Sequence, residues 1–278
     1  MPVIGINQDT FHRESGGFPS FEDMIRGIAE LGLDLFEFCP EYREQTPDVL
    51  TPKRRRDAVA LARSLGVKLL VHASFASVNI CFINDHTRSE SVRQLKREIQ
   101  LAHDLESDAI TIHPGSPRGH ARWYAKDTLW EPMLRAYEEL LSFAEPLGVR
   151  ICTENIDKQF VGTEEDLARL FADIDSPSFG LTFDFGHHNL IYNDSPLPDR
   201  TARMKDMLGR FREKIWVLHI HDNKGSKDDH QGLGWGEIDY DAAIREVLRL
   251  GINAYWSMEL AGKEATVQSK AKLAEYVG

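Results

Sequence analysis

Histidine and acidic residues recur along this sequence directly after short apolar segments. Glu154 ends the run that begins at Val149, and Glu259 ends the run that begins at Tyr255. Apolar segments bury ionised groups only when these groups are paired or bound to a metal. Imidazole and carboxylate are ligands for zinc, manganese, cobalt and iron that require no sulfur. The pattern therefore predicts a divalent-metal site, with buried ion pairs to lysine or arginine as the ordinary alternative.

The strongest candidate metal ligands are Glu154, Asp184, His219 and Glu259. His219 and His221 share one strand face because alternate residues of a strand point the same way, and His219 lies deeper in its strand. Asp184 could instead cap the next helix, and a turn after it would bring His187 toward the same site. In a multinuclear site the further ligands are His72, His113, His187, Asp228 and His230. A hydrogen-bonded core histidine or a solvated loop is the alternative for each of these further residues.

The elements that must position these residues are β-rich segments alternating with amphipathic helical segments. Most β-rich segments consist mainly of Val, Ile, Leu and Phe without strict alternation, which is typical of parallel strands buried on both faces. The predicted strands are Val3–Gln8, Leu35–Cys39, Lys68–Ala73, Ala109–Pro114, Arg150–Glu154, Phe179–Asp184, Ile215–His221 and Tyr255–Leu260. Eight βα units of about 30–45 residues predict one α/β domain over residues 1–278, a single (β/α)8 TIM barrel.

Helix boundaries carry their own signals. Ser20 with Asp23, Thr51 before Pro52, and Thr163 with Asp166 are typical of helix N-termini. Leu-Gly pairs that end helices place glycine at Gly32, Gly66, Gly148 and Gly251, where a left-handed conformation can stop the helix. In a barrel the carboxyl ends of all strands meet at one rim, so the candidate ligands are expected to become neighbours.

Composition excludes several classes of protein. No apolar run approaches the roughly 20 residues that span a bilayer, so a cytoplasmic location without membrane contact is expected. Cys39, Cys81 and Cys152 form no C-x-x-C pair, which predicts reduced buried thiols. The net charge of −11 argues mildly against a general nucleic-acid coat but leaves a local basic groove possible. Gly232, Gly234 and Gly236 follow no strand directly and are interpreted as a flexible βα loop.

Several segments in this order resemble the sugar phosphate isomerase/epimerase superfamily with the xylose isomerase-like barrel. They are Leu31–Glu37, Glu154-Asn155, Asp184–His187, His219–Asp222, Asp229–Asp239 and Ser257–Glu259. In the sugar epimerase branch, one acidic or histidine residue from each of strands five to eight binds a divalent metal, commonly manganese. The resemblance implies this role for Glu154, Asp184, His219 and Glu259.

The same superfamily includes the endonuclease IV family, which binds three zinc ions. Its additional ligands match the five further candidates, and His113-Pro114-Gly115-Ser116 is similar to its strand-four motif. The region Phe36–Glu41 instead looks like the sugar branch and lacks the longer polar DNA-recognition loop of the nuclease. Asn155-Ile156-Asp157-Lys158 also lacks the glycine-rich run that usually follows the strand-five glutamate there.

The leading hypothesis is a divalent-metal-dependent sugar or sugar-phosphate isomerase or epimerase that holds one to three ions of manganese or zinc. Glu154 and Glu259 would be its catalytic residues and would move a proton through an enediolate. The alternatives are a zinc-dependent phosphodiesterase acting at abasic sites in DNA and a non-enzymatic metal- or carbohydrate-binding barrel. A small-molecule carbohydrate is the expected partner, and nucleic acid only under the phosphodiesterase alternative. Candidate phosphate-binding residues are Arg118, Arg122, Lys158, Lys224 and Lys227.

Overall fold

Eight parallel strands form the centre of the molecule. The computed structural model describes residues 1–11, 18–117, 123–156 and 160–277. The strands pair in chain order and the last pairs with the first, so the sheet closes on itself. They are β1 (Val3–Asn7), β2 (Leu35–Phe38), β3 (Lys68–His72), β4 (Ala109–Ile112), β5 (Arg150–Glu154), β6 (Phe179–Asp184), β7 (Ile215–Ile220) and β8 (Tyr255–Met258). The predicted (β/α)8 TIM barrel is confirmed.

Helices follow each strand and cover the outside of the barrel. They are α1 (Phe21–Glu30), α2 (Pro52–Leu65), α3 (Asp85–Asp104), α4 (Lys126–Ala144), α5 (Glu164–Asp173), α6 (Phe185–Ile191), α7 (Leu197–Phe211), α8 (Tyr240–Leu250) and α9 (Lys263–Val277). The predicted N-terminal signals are confirmed, since Ser20 and Thr51 accept backbone N–H bonds and Thr163 forms a reciprocal capping box with Asp166. The four predicted glycine stops all have positive φ, between 62° and 71°.

Six of the predicted strands end one or two residues earlier than expected, whereas β5 and β6 match the prediction. The differences are largest in β4 and β8, which end two residues early; β4 is expected to reach Pro114 and ends at Ile112. Proline has no backbone N–H for the ladder, and the following Gly115 has φ of 91°, so the chain turns away from the sheet. The residues beyond the strand ends belong to the rim, where they are free to turn toward one another.

The inside of the barrel consists of an apolar layer below a polar one. Inward-facing residues of five strands form a fully buried apolar floor: Leu35, Leu70, Ala109, Cys152 and Val217. Two residues further along these strands the side chains point the same way, and there they are Glu37, His72, Thr111, Glu154 and His219. The floor therefore excludes water from beneath a layer of ionisable groups.

All three cysteines are free and buried, as predicted. No helix in the described part of the chain is both long enough and apolar enough to cross a membrane.

Two glycines, one in a strand and one in a helix, allow a direct test of the barrel packing. A Cβ at Gly5 would lie 1.8 Å from the carbonyl oxygen of Leu35, whereas a Cβ at Gly209 in α7 would meet nothing within 4 Å. We expect Gly5→Ala to lower the free energy of unfolding by about 1–3 kcal/mol, because β1 and β2 must move apart. Gly209→Ala should raise it by about 0.5–1 kcal/mol through helix propensity. Urea denaturation of both variants measures this, and equal effects would contradict the packing described.

Candidate metal centre

The four strongest candidates from the sequence meet at the rim of the barrel. Asp184 and His219 are register partners on β6 and β7, which places them side by side. His219 Nδ1 lies 3.3 Å from Glu154 Oε1, 3.5 Å from Glu259 Oε2 and 3.7 Å from Asp184 Oδ2. All four side chains are buried, and one ligand atom from each lies within 4.8 Å of the others. This group could hold a metal ion.

A second group of possible ligands lies on the other side of the Glu154 carboxylate. Glu154 Oε2 is 3.1 Å from His113 Nε2 and 3.4 Å from His72 Nε2. The two imidazole nitrogens are themselves 3.2 Å apart. Glu154 therefore belongs to both groups, with one oxygen toward each.

A third group is formed where α6 meets the loop between β7 and α8. Asp228 Oδ2 lies 3.2 Å from His187 Nε2 and 3.3 Å from His230 Nε2. His187 also presents Nδ1 to Glu154 Oε1 at 3.0 Å, so it lies between the first and third groups. All nine residues proposed as ligands are thus brought together at one end of the barrel.

Asp184 has two roles in the structure. Its sequence position is compatible with either helix capping or metal binding, and the side chain is placed for both. Asp184 Oδ1 accepts the backbone N–H of His187 at 2.5 Å and caps α6, while Oδ2 faces His221 at 3.1 Å. His187 is presented by the first turn of this helix rather than by a free turn.

His221 belongs to the third group, and strand position alone did not identify it. Its ring stacks on that of His230 at a centroid distance of 4.0 Å and an interplanar angle of 5°. The ring lies directly against Gly186, where a Cβ would approach its Cε1 to 2.0 Å. The H-x-H pattern at positions 219 and 221 was the available signal, and the barrel sets the two imidazoles in different groups.

The contacts around Glu154 fit a shared cation better than direct hydrogen bonds. Glu154 Oε2 and His187 Nδ1 are buried and lack a hydrogen-bond partner of acceptable geometry, although each has a polar atom within about 3.1 Å. Ligands bound tetrahedrally at about 2.0–2.1 Å lie about 3.3 Å from one another. In the described part of the chain, no lysine or arginine lies within 4.0 Å of the Glu154 or Glu259 carboxylate, and their close partners are histidines. The residues present therefore fit a divalent cation.

The charges of the site shift its pKa values strongly. Burial works to raise the pKa of Glu154, but the imidazoles of His219 and His113 outweigh it and hold this pKa well below its ordinary value. For His219, burial works to lower the pKa, and the surrounding carboxylates, led by Glu259 and Glu37, raise it well above its ordinary value. Burial raises the pKa of Glu259 and lowers that of His113 to about 4. The pKa of His230 is raised to about 9, because hydrogen bonding to Asp228 and the charge of Glu259 outweigh burial.

A cavity of about 120 Å³ opens onto these groups. Sequence reasoning missed the residues that complete its wall, which are Asn7, Gln8, Asp9, Cys39, Tyr42 and Phe75. Their position at a strand end could have identified the first three, since Asn7 ends β1 as Glu154 ends β5, and Gln8 and Asp9 follow directly. Phe75 had no such signal. Its ring stacks on His113 at 4.9 Å, and Glu41 holds the loop by accepting three backbone N–H bonds from Phe75, Ala76 and Ser77.

The remaining sequence predictions concern a glycine-containing loop and possible phosphate-binding residues. The glycine-containing loop is confirmed as a βα loop, but Asp222 ties it down by accepting backbone N–H bonds from Gly234 and Ile238. Of the proposed phosphate-binding residues, Lys227 pairs with Asp229. Arg118, Arg122 and Lys158 lie outside the described residues.

Comparison with known proteins gives a family and several relatives. Residues 25–276 match the family model of the xylose isomerase-like TIM barrel. The chain is 29% identical over 262 residues to an uncharacterized protein of Methanocaldococcus jannaschii, covering 93% of this chain and 85% of that one. It is 27% identical to a probable endonuclease 4 of Acholeplasma laidlawii, covering 69% and 67%. The crystal structure of a D-tagatose 3-epimerase-like protein has a TM-score of 0.84 at 26% identity, covering 100% and 97%. Further sugar 3-epimerases share the fold.

The pKa shifts predict how cation binding depends on pH. His72, His187, His219 and His230 have raised pKa values, so each stays protonated up to its raised pKa, which for His230 is about 9. Because a metal needs the unprotonated imidazole, zinc binding near neutral pH should release protons, and zinc affinity should rise from about pH 6 to about 9. Titration calorimetry in buffers of different ionisation enthalpy measures the proton release. His230→Gln should reduce the release, and the exposed control His86→Gln should not. A pH-independent affinity would contradict the assignment.

Proposed function

Because the chain belongs to the family of xylose isomerase-like TIM barrels, we propose that it is a divalent-metal-dependent sugar or sugar-phosphate isomerase or epimerase. The observation that carries this proposal is the approach of two buried carboxylates, Glu154 and Glu259, to the same nitrogen of His219. Both line the cavity at the rim. The similarity over the full chain to a D-tagatose 3-epimerase-like protein supports a sugar substrate.

The first ion would be held by Glu154, Asp184, His219 and Glu259. A second would be held by His72, His113 and Glu154, and a third by His187, Asp228 and His230. Their nitrogen and oxygen donors suit zinc or manganese. A bound divalent cation supplies a Lewis acid that polarises the substrate carbonyl and stabilises negative charge as it develops.

The two glutamates would divide the proton transfer between them. Glu154, whose pKa is held well below its ordinary value, is ionised and would take the proton from the carbon next to the carbonyl. The electron pair of that C–H bond then enters the enediolate. Glu259 has the raised pKa, which suits a group that holds a proton, and it would deliver this proton to the opposite face in an epimerase or to the neighbouring carbon in an isomerase. Proton exchange with solvent would then restore both carboxyl groups to their starting states. Asn7, Gln8 and Asp9 on the cavity wall would bind substrate hydroxyls.

Exchange of substrate hydrogen with solvent deuterium tests these roles. Glu154→Gln and Glu259→Gln should each lower deuterium incorporation by about 10²–10⁴-fold, because a carboxamide cannot carry the proton. Glu246→Gln on α8 is the control, since it removes only an ion pair with Arg249 on the outside of the barrel. Exchange is followed by NMR across a panel of ketoses and aldoses with and without phosphate. Undiminished exchange in both site variants would exclude the assigned pair.

A zinc phosphodiesterase acting at abasic sites in DNA is the second candidate function. It is favoured by the second and third ligand groups and by the position of Glu154 between two of them. Such a carboxylate can bridge two metals that activate water and stabilise a leaving oxygen. The similarity to a probable endonuclease 4 points the same way.

Metal content and nuclease activity separate the two functions. Elemental analysis of the purified chain should give one ion for the epimerase and two or three for the phosphodiesterase. For the phosphodiesterase, His113→Gln should remove one ion and lower cleavage of an abasic-site duplex by at least about 10²-fold. His86→Gln is the matched control. Sugar exchange without duplex cleavage would reject the phosphodiesterase, and bound metal with neither activity would favour a binding protein.

A further inference from the structure

A further buried carboxylate lies on the side of His219 opposite to the candidate ligands. Glu37 is on β2 and its side chain is fully buried, with its oxygens directed across the barrel at His219 on β7. His219 Nε2 is hydrogen-bonded to Glu37 Oε1 at 3.3 Å and lies 3.2 Å from Oε2. The carboxylate therefore contacts the nitrogen of His219 that faces away from the proposed ligands.

His219 is the main electrostatic partner of Glu37. Within the described ranges, His219 is the only histidine, lysine or arginine side chain that comes within 4.0 Å of Glu37. Thr111 Oγ1 also donates to Glu37 Oε1 at 3.4 Å and lies 2.8 Å from Thr182 Oγ1. A buried carboxylate without a partner of opposite charge or a strong donor is costly. A proton on His219 Nε2 therefore satisfies Glu37, whereas the equivalent 3.3 Å contact of Nδ1 with Glu154 Oε1 lies within the group that could hold a metal ion.

The proton position decides what His219 can do at its other nitrogen. A neutral imidazole carries one N–H, so a proton on Nε2 leaves a lone pair on Nδ1. Nδ1 is the atom that faces Glu154, Glu259 and Asp184 at 3.3–3.7 Å. Ligand histidines commonly donate their second ring N–H to a carboxylate, which fixes the ring and its tautomer.

We propose that Glu37 is a positioning residue that holds His219 with the proton on Nε2 and the lone pair of Nδ1 directed at the metal site. This inference rests on the proposed metal-dependent function. Glu37 does not line the cavity and is hydrogen-bonded to His219 and Thr111, so it acts through His219 rather than on substrate.

Zinc affinity and imidazole NMR of the full chain test this role. Zinc affinity is measured by competition with a chelator, and the His219 signals are assigned in histidine-labelled protein with His219→Gln. Glu37→Leu should weaken zinc binding by about 10–100-fold, and Glu37→Gln, whose amide oxygen can still accept the N–H, should recover part of it. Thr153→Val is the matched control, because it removes a buried hydroxyl of the barrel wall that bonds to Tyr137 and leaves the contacts between Glu37 and His219 unchanged. Its affinity should stay within about threefold of the parent chain.

The NMR measurement keeps this inference separable from the proposed function. In the parent chain, ¹⁵N spectra of the zinc-loaded form, and of the metal-free form at a pH where His219 is neutral, should both show the proton on His219 Nε2, and Glu37→Leu should lose that preference. Zinc bound through Nε2, or an unchanged affinity and tautomer in folded Glu37→Leu, would overturn the role of Glu37. If the parent chain binds no zinc yet shows the Glu37-dependent tautomer, the metal-dependent function fails while the Glu37–His219 pair stands.

Discussion

The carboxylate of Glu154 is fully buried and is shared by four imidazoles. His187 and His219 approach one of its oxygens, and His72 and His113 approach the other, all between 3.0 and 3.4 Å. A charge in this position is tolerated only when opposite charges or a metal surround it. Strands on both sides of β5 must therefore present their imidazoles at the same height in the barrel. The other features of the rim follow from this requirement.

Closure of the sheet is what meets the requirement. Alternation along each strand sends one residue inward at every second position, and closure turns these positions into layers. The apolar floor of the barrel is fully buried, and the next layer is polar. Packing of the apolar floor offsets part of the free energy that burying the charged layer costs. Within the polar layer Glu37, Thr111 and Thr182 connect strands that are not neighbours. These hydrogen bonds across the barrel help to orient His219, in addition to the contacts that it makes at the rim.

The same set of donors can support two kinds of chemistry. With one cation, the carboxylates of Glu154 and Glu259 at the cavity wall would suit proton transfer on a small polyhydroxy substrate. With two or three cations, Glu154 would serve both ligand groups, and the site would suit activation of water beside a phosphodiester. The donor types do not separate these outcomes, because imidazole and carboxylate serve both. Occupancy of the His72–His113 pair is the physical difference between them.

The amino-acid sequence by itself determined the barrel and most of the proposed ligands. Strand hydrophobicity, helix caps such as Thr163 and glycine stops such as Gly66 are local properties, and local properties can be recognised without knowing the fold. Glu154 and Glu259 could be recognised as candidate ligands, because a charged residue at the end of an apolar strand is costly to bury unless it is paired or bound to a metal.

Only the tertiary structure decided which atoms face one another. Three features depend on side-chain direction after closure: Glu154 divides its oxygens between two groups, Asp184 caps α6 with one oxygen while using the other in the site, and Glu37 contacts His219 across the barrel. Phe75 reaches His113 only because Glu41, in the loop after β2, holds the backbone of the loop after β3. Such contacts join residues far apart in the chain, so no local pattern could predict them.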